Sequence, residues 1–169
     1  MWQQHPRNLL LRTGQATEQA SGDDGTYQAG WPGTTRMVDL GNGTVYDRAT
    51  GLTWVKDHTA LDAPLNGEDT WATQLAACNA LSYAGHEDWR MPNLMELLSV
   101  SDAGSTFSPC CRSPLVMVES QYYWTSTTRA KYPATNRYTI WFADCCEVSM
   151  TTSGTSKYCI PVRGGRING

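Results

Sequence analysis

A chain of 169 residues is long enough to build one domain around a full hydrophobic core. Only 17% of its residues are charged and its net charge is −3, which excludes the broad phosphate neutralisation that general nucleic-acid binding needs. No apolar run approaches the ~20 residues of a membrane-spanning helix, so membrane insertion is not expected, and 15 glycines, 7 tryptophans and 8 tyrosines suit a loop-rich, mostly β surface domain.

Residues 1–35 are polar and Gly-rich, with neither helical nor strand periodicity, and read as an extended arm that packs on the domain or on a neighbouring subunit. His5 reads as a surface residue, and Asp23-Asp24-Gly25 as a solvated turn rather than a cation loop. Leu9–Leu11 is too short for a signal-peptide core, so a leader either preceded residue 1 or is not visible. Met37–Lys56 reads as a hairpin: Thr44, Val45 and Tyr46 favour a strand, Asp47–Gly51 turns, and Leu52–Val55 returns. Asp39, Asn42 and Asp47 invite calcium, but they lack the central Gly and terminal Glu of an EF-hand loop, and turn chemistry accounts for them as well. No cofactor is therefore expected, with calcium at such Asp-rich loops as the alternative. Asp57–Gly67 is a loop, and His58 on it reads as solvated.

Asp69–Val100 predicts helix, turn and second helix. Trp71, Leu75, Cys78 and Leu81 fall at helical spacing behind a cap at Asp69 or Thr70, and Gly85 is expected to end that helix. Pro92 forbids a continuous helix. Asn93 with Glu96 three residues later forms a capping-box pattern, and Leu94, Leu97 and Leu98 supply the second buried stripe. Ser101–Glu119 is irregular. Tyr122–Ser126 and Tyr138–Phe142 read as strands, Cys145–Met150 as a third, and Tyr158–Val162 as the last, with Pro161 marking an edge or bulge. The whole is an α+β pattern.

Six cysteines, Cys78, Cys110, Cys111, Cys145, Cys146 and Cys159, form an even set in a polar chain, which fits disulfides made in an oxidising compartment. Zinc is the weaker reading: there is no C-x-x-C, and adjacent cysteines rarely place both sulfurs around one tetrahedral ion. No catalytic constellation emerges. G-x-S-x-G, H-E-x-x-H and a phosphate-cradling glycine loop are all missing, and Asp102 and Glu119 read as solvated carboxylates. An enzyme is not the expected reading.

The motifs C-N-x-L and G-x-x-D-W-R-M-P-N-x-x-E-L, at Cys78–Leu81 and Gly85–Leu97, resemble the core signature of the DUF1566 family, the Lcl C-terminal domain of a Legionella collagen-like adhesin. Asn42–Val45, Asp47, Ala49–Leu52 and Trp54 resemble its N-terminal hairpin. Tyr123–Thr128, Trp141–Asp144 and Val162–Gly164 resemble its later strands, so the likeness runs from about residue 36 to 165. The resemblance implies a C-type-lectin-like domain over 36–169, with two short helices packed on a small twisted antiparallel sheet, long loops and disulfides. It makes Cys78–Cys159 the first expected bridge, with Cys110 and Cys111 then bridging Cys145 and Cys146; a vicinal disulfide would be strained.

The resemblance also implies a secreted or cell-surface adhesin or lectin that binds glycans, including sulfated ones, and forms trimers. Ligands in such folds meet the region between the second helix and the last strand, where Tyr122, Tyr123, Trp124, Tyr132, Tyr138 and Trp141 lie among Arg129, Lys131 and Arg137. Trp124 and Trp141 match family positions and read as core. Arg129, Lys131, Tyr132, Asn136, Arg137 and Tyr138, in or beside the polar loop 127–137, are the expected ligand contacts. The mildly acidic chain departs from a sulfate binder except at the local cluster of Arg129, Lys131, Arg137 and Lys157. Arg163 and Arg166 read as structural. Alternatives are a display domain gripping a cell-surface receptor protein, and an enzyme related to the formylglycine-generating group, which would require a reactive cysteine.

Overall fold

In the computed structural model, which describes residues 11–32, 35–143 and 146–165, the predicted hairpin forms and gains a strand on each side. Strands β1 (Met37–Asp39), β2 (Thr44–Asp47), β3 (Leu52–Val55) and β7 (Val162–Gly164) make an antiparallel sheet in the order β1-β2-β3-β7. Val45 pairs with Trp54, and both are wholly buried. Gly51, with φ 74°, closes the turn in the left-handed region that disfavours a Cβ, and its N–H donates to the Asp47 carbonyl. The Asp47 carboxylate organises the same turn: it accepts from the Ala49 N–H and the Thr50 hydroxyl, and from the buried Arg36 guanidinium at 2.7 and 2.5 Å.

A second antiparallel sheet holds β4 (Tyr122–Thr128), β5 (Asn136–Trp141) and β6 (Glu147–Thr152). The single sheet expected from the sequence is therefore two. What joins them is the segment 158–164. Tyr158 exchanges backbone hydrogen bonds with Tyr122 and Trp124 on β4, whereas Val162 pairs with Trp54 on β3. The predicted last strand, Tyr158–Val162, is corrected to Val162–Gly164 because Pro161 has no N–H to give a ladder and the chain changes sheets there.

Helix α2 (Trp71–Ala80) is capped by Thr70 and stops before Gly85, at an extended Leu81. Gly85, with φ 79°, instead serves a separate turn closed by mutual hydrogen bonds between Tyr83 and His86. Helix α3 (Leu94–Ser99) has the capping box that its sequence predicts: Asn93 Oδ1 accepts from the Glu96 N–H, and Glu96 Oε2 accepts from the Asn93 N–H. Leu97 and Val100 from α3 and its end, Val45, Leu52, Trp54 and Val162 from the first sheet, and Tyr123 and Ile140 from the second form one apolar cluster. A second cluster gathers Val55, Cys78, Trp89, Met91, Trp124 and Cys159 beneath α2.

Two further expectations are revised. The arm is not wholly extended: α1 (Asp24–Tyr27) forms behind Asp23, whose side chain accepts from the Thr26 N–H, and Leu11 bridges to Trp31. His58 is not solvated. It is fully buried, held by the Leu65 carbonyl and the Tyr123 hydroxyl. His5, Asp144, Cys145 and Arg166 lie outside the described residues.

Candidate functional site

The β4–β5 connection projects the polar loop. Its strands lose register between Trp124 and Thr128, then pair again at Thr128 and Arg137. Successive turns shape the tip, with the Tyr132 N–H donating to the Arg129 carbonyl and the Asn136 N–H to that of Tyr132. These turns bring three side chains together. Tyr132 is 46% exposed, and its ring centroid lies 5.1 Å from the Arg129 Cζ and 5.3 Å from the Lys131 Nζ. Such distances allow cation–π attraction, which holds two positive charges about one aromatic ring.

The other three predicted residues lie deeper. Asn136 is half-buried at the loop's base, where its Oδ1 accepts from the Thr135 hydroxyl. Tyr138 is half-buried within β5. Arg137 is only 7% exposed: its guanidinium lies 4.1 Å above the Trp71 ring, and its Nη1 donates to the carbonyls of Pro133 and Asn136. Arg137 thus braces the loop from beneath and is not presented at the surface. Sequence reasoning missed Trp71 as its support, because nothing local links a helix residue to a strand residue so far along the chain. Trp71 is itself fixed by donating its Nε1–H to the Thr125 carbonyl.

A second aromatic cluster sits on the same sheet. Tyr122 and Trp141, both half-buried, meet edge to face at 4.3 Å, and Lys157 Nζ lies 5.2 Å from the Tyr122 centroid. Trp141 is thus less enclosed than expected, whereas Trp124 is wholly buried and donates to the Asp69 carbonyl.

The D-W-R-M-P-N stretch is occupied with structure. Trp89 and Met91 are buried, and Arg90 grips Glu96 through two 2.7 Å hydrogen bonds while also donating to the Gly164 carbonyl. The Arg90 backbone exchanges hydrogen bonds with Val162, and the Pro92 carbonyl accepts from Ser126. Arg163 pairs with Asp88 at 2.6 Å. The Asp-rich loops are similarly engaged: Asp39 takes the Gly41 N–H and Lys56, Asn42 takes Thr44, and Asp47 takes Arg36. Among the described residues no three His, Cys, Asp or Glu side chains converge as metal ligands.

Cys78 on α2 and Cys159 face each other in the core with their sulfurs 3.4 Å apart, at contact rather than bonding distance. Cys146 Sγ lies 3.3 Å from the Cys110 carbonyl. Burial pushes the Cys111 thiol up to about 11 and raises that of Cys159 as well.

A family model described as the Lcl C-terminal domain matches residues 43–163, most of the chain. No curated protein and no solved structure matches it.

Proposed function

The chain belongs to the Lcl C-terminal domain family, and from that premise we propose that it is an extracellular, adhesin-like module that binds glycans through the tip of the loop 127–137. The observation that carries this reading is the exposed Tyr132 flanked by Arg129 and Lys131. The two cations over the ring offer charged donors to a sugar's hydroxyl, carboxylate or sulfate groups, and the part of the Tyr132 ring left exposed adds apolar contact beside them. Family signature residues such as Arg90, Asn93 and Glu96 are engaged in holding the fold, which leaves the loop tip as the better place for recognition.

The same proposal takes the protein as secreted or displayed at the cell surface, with a C-type-lectin-like fold over 36–169, an arm over 1–35, and no enzymatic role. Burial raises the Cys111 and Cys159 thiols, the opposite of what a nucleophile needs, which favours a structural role for these two cysteines. The contact between Cys78 and Cys159 supports a disulfide there, and the approach of Cys146 to Cys110 supports bridging between the two dipeptides. Trimer formation is part of the proposal by family likeness alone.

A glycan array, run with calcium and again with chelator, tests the reading. The expected result is a narrow set of hits that survives chelation and is lost in a Lys131→Ala/Tyr132→Ala variant. Hits unchanged in that variant would move the site elsewhere, and hits lost with chelator would return attention to the Asp-rich loops. Silence in both conditions, with binding to a cell-surface protein fraction, would favour a receptor-binding display domain.

A further inference from the structure

A recess of about 550 Å³ opens between the N-terminal arm and the loop that follows α3, away from the signature motif. The arm is docked there by specific contacts. Ala103 N–H donates to the Thr13 carbonyl at 2.8 Å, and Arg112 Nη2 to the Arg12 carbonyl at 2.5 Å. Gly104 and Gly14 lie so close that a Cβ on Gly104 would stand 1.9 Å from the Gly14 carbonyl oxygen. The size falls within the roughly 300–1,000 Å³ of small-molecule sites.

Its charges are unbalanced. Arg112 is only 6% exposed, yet its Nε has no hydrogen-bond partner among the described residues, and the Asp102 carboxylate stands 3.8 Å away. A buried cation without a close, hydrogen-bonded counter-ion leaves unmet demand for an anion. Across the recess Arg12 donates to the Gly30 carbonyl and the Gln28 side chain, which aim its guanidinium without neutralising it. Among the side chains that line the recess, two guanidinium groups face one carboxylate, with Asp23 set back behind Gln15, so the lining itself carries one positive charge in excess, which suits a monoanion. Guanidinium forks match the planar, two-oxygen geometry of a carboxylate. Gln15 and Gln28 spend their amide N–H donors on Thr17, Asp23, Ala16 and Gly25, so what these two side chains and Asp102 offer in the recess is oxygen acceptors for hydroxyl groups, while Met37 gives an apolar wall.

We propose that this recess is a binding site, distinct from the loop tip, for a small hydroxylated carboxylic acid of monosaccharide size such as a uronic acid. Arg12 holds the carboxylate, with the buried charge of Arg112 behind it, and Asp102 and the glutamine oxygens accept from the hydroxyls. The arm is then a wall of the site as well as an appendage of the domain.

The test is a ¹⁵N-resolved NMR titration of the full chain with galacturonate, and with galactose as the neutral control. Galacturonate is expected to shift residues 12–28 and 102–114, galactose to bind at least about tenfold more weakly, and Arg12→Gln to weaken galacturonate by about tenfold with the fold intact. Arg12→Gln is preferred to an Arg112 substitution because Arg12 is half-exposed, so its loss does not open the core. Equal affinity for the two sugars, shifts confined to 129–137, an unchanged Arg12→Gln titration, or no shifts at about 50 mM galacturonate would each overturn the proposal. The shift map keeps this outcome separate from that of the glycan array, which reports on the loop.

Discussion

His58 Nε2 and the Tyr123 hydroxyl meet at 3.0 Å in a place where both side chains are fully buried. Their partners assign the protons. His58 Nδ1 faces the Leu65 carbonyl at 2.9 Å and must be its N–H donor, so Nε2 accepts from the Tyr123 hydroxyl. The Tyr123 oxygen accepts in turn from the Val118 N–H at 2.7 Å. One relay thus pins the 58–65 loop and the 118 loop to β4. Burial disfavours the imidazolium and holds the His58 pKa below its ordinary 6.5. The unfolded chain therefore takes up a proton near pH 6.5 that the folded chain refuses, so stability falls as pH drops from about 6.5 toward the lowered folded pKa. Urea unfolding at pH 7.5 and pH 5.5 checks this; equal stability at the two would sink it. Tyr123→Phe leaves two buried groups without a partner and is expected to cost about 1–3 kcal/mol.

Asp47→Ala is expected to be among the most damaging single changes. Arg36 and Asp47 are almost wholly buried, and removing the carboxylate strands a guanidinium in the core at a cost of about 3–5 kcal/mol. Burial alone would raise the Asp47 pKa, but hydrogen bonds from Arg36, Thr50 and Ala49 outweigh it and hold the pKa below 3.8. The associated stability is present above the unfolded carboxyl pKa and disappears as pH falls through the folded one. Chemical denaturation of the variant at neutral pH measures the first point, and an acid titration of the wild type followed by circular dichroism measures the second.

Cys78→Ser separates a bridged pair from two packed thiols. If Cys78 and Cys159 are joined under oxidising conditions, the substitution costs about 2–5 kcal/mol there, and much of the difference vanishes once the wild type is reduced. A melting temperature unaffected by reductant in the wild type would contradict a bridge at this position.

Arg137→Ala should behave unlike Lys131→Ala. Arg137 stacks on Trp71 and ties down two loop carbonyls, so its loss is expected to lower the melting temperature and loosen the loop. Lys131 is exposed, and its removal is expected to leave stability within about 0.5 kcal/mol. Thermal scans of the two variants side by side decide the matter; equal effects would contradict the bracing role.

Local chemistry made much of this fold legible. Asn93 and Glu96 lie three residues apart, so their capping box depends only on helix geometry, and the Asp47–Gly51 turn is likewise written in adjacent residues. Arg129, Lys131 and Tyr132 were legible as a surface cluster for the same reason: they share one short polar loop. What tertiary structure alone decided involves distant partners. Burial of His58 depends on Tyr123, the bracing role of Arg137 on Trp71, and the sheet change at Pro161 on which strand edges stand open. The recess lined by Arg12 and Arg112 exists because residues 100 apart in the chain are hydrogen-bonded. Periodicity and capping report short-range sterics, whereas burial and charge balance arise only when the chain closes on itself.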